Sequence, residues 1–328
     1  MNEIYDITVI GGGAIGIYAA YYGRLRSAKV KLIESLGTLG GQVTAFYPDK
    51  FIHDLPGFKK IKASDFINDL IDQMNDKSPT VCLNETVEAY YKLEDGTFEI
   101  VTSEGKHYSK SIIIAIGKGA FEPRRLALPD ADTYEGQSLQ YYINDMQSLA
   151  NQNIVILGGG NSAVDWALML EEIASSVALI HRRDKFRAHE SSMERLFASS
   201  VKLYTPYQIS RLIGDSGQLT EIEIQDTKSK AQETIAVDQL IVNYGFLSDL
   251  GPIDQWGLDL TKRKKVKVSP DMMSSVPGIF ALGDACDYDG KLDFIITGFG
   301  EVPMTVNNAL QYAYPEEKIV AKHFSASE

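Results

Sequence analysis

Two hydrophobic periods alternate along the chain. Residues 5–10 (YDITVI), 29–34 (KVKLIE) and 111–117 (SIIIAIG) are short, largely apolar, β-branched runs, which is how buried parallel strands read. A helix is expected between the first two, completing a βαβ unit of about 30 residues. Residues 64–75 bring Ile67, Leu70, Ile71 and Met74 round at helical spacing, predicting a surface helix with one buried face. Residues 86–101 read as two β-rich runs split by Glu94-Asp95-Gly96, a hairpin. The pattern then restarts: residues 152–157 (QNIVIL) and 177–181 (VALIH) predict a second βαβ unit.

This near-repetition predicts an α/β protein made of two related Rossmann-like dinucleotide-binding modules. The closing run GIFALGDA (278–285) would complete the first module, so the second is expected to be inserted into it. The expected division is residues 1–117 plus 249–328 for the first domain and 118–248 for the second. The crossings fall in stretches containing Gly and Pro that could serve as hinges, 117–124 and 244–252.

At 328 residues and 44% hydrophobic, the chain can supply a core to each module. No run approaches the roughly 18–20 apolar residues that cross a bilayer, and no signal-peptide pattern precedes the first strand, which reads as a cytoplasmic protein. A net charge of −12 argues against nucleic acid as the main partner. Cys82 and Cys286 are the only cysteines, far apart and in different motifs; both read as small packing residues.

The first glycine motif, Gly11-Gly12-Gly13-Ala14-Ile15-Gly16, follows a strand and opens a helix. Gly11 permits the turn, Gly13 lets backbone approach a pyrophosphate and Gly16 lets the helix pack closely, while the helix N-terminus offers N–H donors. Glu34 closes the second strand 18 residues after Gly16, where a carboxylate bonds ribose hydroxyls and repels a 2′-phosphate. The second motif is Gly158-Gly159-Gly160-Asn161-Ser162-Ala163, and its second strand ends not in an acid but in HRRDKFR, residues 181–187. Guanidinium groups at Arg182, Arg183 and Arg187 suit a 2′-phosphate. One module asks for an unphosphorylated ribose and the other for a phosphorylated one, a requirement that FAD and NADPH together meet. Asp284, at the end of GIFALGDA, stands where a carboxylate can bond the ribitol of a flavin.

The ordered motifs GGGAIG, ESLGTLGGQ, GGGNSAVDW, HRRDKFRAHE and GFGEVP, with YPDKFIHD, resemble the ferredoxin–NADP⁺ reductases of the thioredoxin-reductase-like type (type 2) across essentially the whole chain. The resemblance implies a homodimer with noncovalent FAD, which takes hydride from NADPH and passes single electrons to ferredoxin or flavodoxin. It further implies that Glu34 binds the adenosine ribose of FAD and that Gln42 lies beside the flavin ring. Tyr47 would stack on one flavin face. Val87, Phe121 and Asp284 would make further FAD contacts. The C-terminal residues His323-Phe324-Ser325 resemble a tail in which His323 covers the other flavin face from the partner subunit and Ser325 contributes to the FAD site. No residue is assigned to acid–base work, because hydride passes directly between nicotinamide and flavin.

Related thioredoxin reductases carry a Cys-x-x-Cys just before the second glycine motif. Residues 134–152 here contain no cysteine, which excludes a direct dithiol relay. Disulfide reductases of a related class place a cysteine inside the first glycine loop, where this chain has Ala14. Besides the reductase reading, two others stay open: an NADPH diaphorase reducing quinones, free flavins or ferric chelates, and a non-enzymatic NADPH sensor. An acidic electron acceptor would need a locally basic docking surface; candidates are Lys59, Lys60 and Lys62, Arg124 and Arg125, and Lys262 to Lys265.

Overall fold

The computed structural model of the chain describes residues 3–46, 48–143 and 145–320. The backbone divides into two compact units, Met1–Phe121 with Ser248–Glu328, and Glu122–Leu247. The chain passes between them along the short strands Ala120–Pro123 and Phe246–Asp249, which pair with each other.

The first unit is built on a seven-stranded sheet. Its parallel part runs Thr80–Cys82, Val30–Ile33, Ile4–Ile10 and Gly105–Ile114, and Ile279–Ala281 joins the far side of Gly105–Ile114. The run GIFALGDA therefore closes the sheet begun at the N-terminus, with Ile279 opposite Ile112 and Ala281 opposite Ile114. Strand Gly105–Ile114 begins six residues before the apolar run that predicted it. Its polar first half pairs antiparallel with Phe98–Thr102, which pairs with Val87–Lys92, so one strand serves both the buried parallel sheet and the hairpin at its end. Helices Ala14–Leu25, Ala63–Asn75 and Ile295–Ala313 pack on the sheet and bury Ile17, Ile67 and Val302 against Val9, Leu32, Ile113 and Phe280.

In the second unit, five parallel strands stand in the order Leu139–Gln140, Gln239–Val242, Asn153–Leu157, Ser176–Ile180, Lys202–Tyr204. Helix Asn161–Leu170 buries Ala163, Val164, Trp166 and Leu170. A three-stranded antiparallel sheet, Tyr207–Asp215, Gln218–Asp226 and Gln232–Ala236, adds Ile222 and Ile224 to the core of this unit. No sequence expectation covered that sheet: the alternation of apolar and charged residues in QLTEIEIQD marks a half-buried strand but not its partners.

Candidate functional site

Each unit presents a glycine turn at the C-terminal edge of its parallel strands, the position where open α/β sheets bind ligands. In the first unit Gly11 takes a φ of +105°, and a Cβ there would lie 2.7 Å from the carbonyl oxygen of Ala115. Gly16 faces back onto the turn, where a Cβ would come within 1.8 Å of the Gly11 carbonyl oxygen. Gly13, the residue before helix Ala14–Leu25, has nothing within 4 Å of a Cβ position. The loop is thus closed at Gly11 and Gly16 and open at Gly13. Because Ile17 N–H makes the first bond back, to the Gly13 carbonyl at 2.9 Å, the N–H groups of Ala14, Ile15 and Gly16 have no acceptor within the helix. An open backbone concavity at a helix N-terminus fits a pyrophosphate.

Glu34 is buried beside this opening. Its Oε2 accepts the Gly12 N–H at 2.6 Å, and its Oε1 accepts the Leu36 N–H at 2.8 Å and the Ser35 hydroxyl at 3.2 Å. A carboxylate fixed by three donors keeps room for a hydroxyl donor and excludes a phosphate by charge. Sequence reasoning did not anticipate what Gly40 and Gly41 do. Gly40 N–H donates to the Gly12 carbonyl at 2.8 Å, and a Cβ on Gly41 would stand 3.0 Å from the Gly13 Cα, so the segment leading to Gln42 lies directly on the glycine turn. Gln42 opens helix Gln42–Phe46 and its Nε2 lies 3.2 Å from where a Gly117 Cβ would be. Val87 is buried at the start of its strand. Asp284 lies in the turn Gly283–Ala285, its Oδ2 3.7 Å from Lys118 Nζ. Phe121 lies on strand Ala120–Pro123. Tyr47, His323 and Ser325 lie outside the described residues.

The second unit repeats this plan at an offset of 147 residues, which relates Gly11 to Gly158, Gly13 to Gly160, Gly40 to Arg187 and Glu34 to His181. A Cβ on Gly158 would lie 2.6 Å from the Asn243 carbonyl oxygen, whereas Gly160, before helix Asn161–Leu170, again has nothing within 4 Å. Arg187 N–H donates to the Gly159 carbonyl at 2.7 Å, as Gly40 does to Gly12. Asn161 Oδ1 accepts the His189 N–H at 2.8 Å, tying the basic segment to the glycine turn, and Ser162 follows it in the first turn of the helix.

Where the first unit has an acid, His181 packs its imidazole against Gly159, within 2.3 Å of a Cβ position, and against the Phe186 ring at a centroid distance of 5.1 Å. Burial, followed by the positive charges of Arg183, Arg182 and Arg187 and opposed by contact with the Lys185 carbonyl, holds this imidazole below its ordinary range. Arg182, Arg183 and Arg187 are exposed, and among the described residues none of them forms an ion pair. The open turn at Gly160 together with three uncommitted guanidinium groups fits a nucleotide with a 2′-phosphate.

Neither cysteine has the setting of a reactive thiol. Burial, then the nearby Glu301 carboxylate, pushes Cys286 up to about 12. Cys82 is also raised, chiefly by burial. It stands beside Glu85 and His107, and the metal-ligating atoms of these three residues lie within 4.8 Å of one another. Lys31 closes that cluster: its ammonium donates to His107 Nδ1 at 2.6 Å, which leaves the imidazole proton on Nε2, toward Glu85 Oε1 at 2.5 Å. A cation at Nε2 would have to displace this proton next to a buried ammonium, so the cluster serves the fold. Glu85 N–H in turn holds the Glu34 carbonyl at 3.0 Å.

The family model for pyridine nucleotide-disulphide oxidoreductases matches residues 5–313. The chain belongs to that family. Within it, this oxidoreductase is 49% identical over 322 residues to a protein of Listeria monocytogenes named ferredoxin–NADP reductase 2, the match covering 98% of this chain and 97% of the relative. It is 52% identical over 322 residues to the ferredoxin–NADP reductase of Halalkalibacterium halodurans, covering 98% and 97%. Among solved structures, the thioredoxin reductase of Lactococcus lactis superposes with a TM-score of 0.82 at 25% identity, covering 95% of this chain and 99% of the other. The bacillithiol disulfide reductase of Staphylococcus aureus shares the fold, with a TM-score of 0.76 at 17% identity, covering 94% and 99%. This oxidoreductase thus has the thioredoxin-reductase-like fold. Its sequence lacks the cysteine pair of residues 134–152 that a direct dithiol relay would need.

The basic surfaces expected from sequence are partly neutralised. Lys62 pairs with Asp49 at 2.7 Å, Lys264 with Asp254 at 2.7 Å, Lys265 with Asp293 at 2.5 Å, and Arg125 with Glu135. Lys59 and Lys60 are exposed and make no ion pair among the described residues; Lys60 Nζ sits 4.6 Å from the centroid of the exposed Phe51 ring. The described residues contain no helix long and apolar enough to cross a membrane.

Proposed function

We propose that this chain is an FAD-dependent ferredoxin–NADP⁺ reductase, with FAD held by residues 1–117 and 249–328 and NADPH by residues 118–248. The observation that carries the reading is the exchange at equivalent positions of the two cradles. Glu34 ends the second strand of the first, and His181, followed by three arginines that form no ion pair among the described residues, ends that of the second. A protein with one cradle for a plain ribose and another for a 2′-phosphorylated ribose holds two different dinucleotides. Having no cysteine pair of the dithiol type, it passes electrons onward by another route.

The chemistry that FAD supplies when bound is conversion of a two-electron hydride donor into two single-electron transfers. The chain's own residues bind and orient. The turn at Gly13 and the N–H groups at the start of helix Ala14–Leu25 receive a pyrophosphate, and Glu34 fixes the ribose. Asp284 meets the ribityl chain, and Gln42 and Tyr47 flank the ring. In the second unit Gly160, Asn161 and Ser162 receive the other pyrophosphate, while Arg182, Arg183 and Arg187 select the phosphorylated ribose. In this reading the protein works in the cytoplasm as a homodimer, with His323 and Ser325 of the C-terminal tail completing the flavin site. Ferredoxin or flavodoxin is the electron acceptor.

Anaerobic stopped-flow mixing of the flavoprotein and a purified ferredoxin with NADPH, run beside NADH, tests the reading. Fast reduction of ferredoxin with NADPH alone is expected. Flavin reduction without ferredoxin reduction would move the assignment to a diaphorase, and no flavin reduction by either nucleotide would move it to a sensor.

A further inference from the structure

Behind the Gly283-Asp284 turn lies a buried ion pair that the nucleotide motifs do not require. Glu301, in the GFGEVP segment of helix Ile295–Ala313, is 3% exposed, and it pairs with Lys291, whose side chain is 2% exposed. All the accepting positions of its carboxylate are used. Oε1 takes the Tyr288 hydroxyl at 2.8 Å and the Lys291 ammonium, and Oε2 takes the Gly283 N–H at 2.7 Å and faces the Cys286 thiol at 3.9 Å.

Breaking such a pair is costly, yet a buried pair is a poor source of net stability compared with apolar packing, so its value is sought in the geometry it fixes. That geometry is local to Asp284. Strand Ile279–Ala281 ends with the Leu282 N–H on the Ile114 carbonyl at 3.1 Å, and the next N–H, that of Gly283, has left the ladder. Gly283 turns the chain at a φ of +64° and delivers that N–H to Glu301. One turn earlier in the same helix, a Cβ on Gly298 would fall 2.8 Å from Ile15 Cδ1 and 3.4 Å from the Gly283 Cα. The helix is thus seated on the turn by close contact at Gly298 and by a charged hydrogen bond at Glu301.

We infer that Glu301 is a positioning residue of the flavin site, holding the Gly283-Asp284 turn so that the Asp284 carboxylate meets FAD. The inference rests on the reading that the first unit binds FAD through Asp284. Lys291 neutralises the buried carboxylate, and the helix sets its position. Without Glu301 the turn is free to follow the second partner of Asp284, the Lys118 ammonium 3.7 Å away.

The test is a double-mutant cycle on the purified holoenzyme, read by FAD release on dilution and by the visible spectrum of the bound flavin. The Lys291→Met/Glu301→Leu variant removes both charges and leaves the Gly283 N–H and the Tyr288 hydroxyl without their acceptor. It is expected to weaken FAD retention about tenfold or more and to shift the flavin band. In an Asp284→Ala background the same pair of changes is expected to add less than about twofold, because the residue it positions is gone. Lys291→Met/Glu301→Gln, whose amide oxygen still accepts the Gly283 N–H and which leaves no unpaired ammonium, is expected to keep FAD affinity within about threefold of the parent. Equal losses in the parent and Asp284→Ala backgrounds would overturn the inference. So would a Lys291→Met/Glu301→Gln protein that folds but holds FAD about tenfold or more weakly than the parent, a comparison that decides the matter even if the leucine variant does not fold. A parent protein that purifies without FAD would instead defeat the reading beneath it.

Discussion

Glu34 and His181 hold the same place in two copies of one supersecondary unit, 147 residues apart, and do opposite things with it. The Glu34 carboxylate reaches the Gly12 N–H at 2.6 Å and brings negative charge to the mouth of its cradle. The His181 ring covers Gly159 and leaves the mouth to Arg182, Arg183 and Arg187. One exchange at the end of one strand reverses the sign of the charge that a ribose 2′-position would meet.

Nucleotide choice should therefore reside in the arginines. Arg182→Ala and Arg187→Ala are each expected to weaken NADPH about tenfold or more, from the loss of a charged hydrogen bond of roughly 1.5–3 kcal/mol, and to leave NADH nearly unchanged. The concentration dependence of flavin reduction with each nucleotide measures this. Parallel losses for both nucleotides would remove the arginines from 2′-phosphate recognition.

The glycines divide into those the fold needs and those the ligands need. Gly13→Ala and Gly160→Ala meet no protein atom within 4 Å, so compared as apoproteins both variants should unfold at the parent temperature, while FAD retention and NADPH affinity respectively are lost. Gly16→Ala would place a Cβ 1.8 Å from the Gly11 carbonyl oxygen, and it should lower the melting temperature of the first unit as well as its FAD content. A Gly13→Ala protein that keeps its FAD would show that nothing approaches the turn there.

Acid should destabilise the second unit through His181. Its imidazole resists protonation in the folded state, chiefly because it is buried, while the unfolded chain takes up a proton near the ordinary value of 6.5. The contribution is present above pH 6.5 and is lost as the pH falls below it, until the folded-state value is passed as well. Thermal unfolding followed from pH 7.5 to 5 should show a drop in midpoint that is smaller in His181→Gln. An identical pH dependence in the two proteins would assign the drop to other groups.

Electron transfer to an acidic acceptor should depend on salt and on Lys59 and Lys60, which form no ion pair among the described residues. Raising ionic strength is expected to raise the KM for ferredoxin and to leave NADPH oxidation by ferricyanide nearly constant. Lys59→Glu/Lys60→Glu should reproduce the effect at low salt. If both acceptors lose activity equally with salt, docking is not electrostatic at this surface.

What the sequence determined by itself was every feature that depends on neighbours along the chain. The strand runs at 5–10 and 152–157, the two glycine turns and the acid-for-arginine exchange are all local, and glycine at the sites of closest approach cannot be replaced by other residues without a clash. The absence of a cysteine pair was equally legible. Tertiary structure decided what depends on partners distant in sequence. The antiparallel sheet of the second unit, the two-sided use of strand Gly105–Ile114, and the ion pairs that neutralise Lys62, Lys264 and Lys265 arise from pairings that no periodicity encodes. Glu301 is the clearest case. In the sequence it is one acid in an apolar helix; only folding brings Lys291, Tyr288 and the Gly283 N–H around it, because a buried charge takes its meaning from the groups that satisfy it.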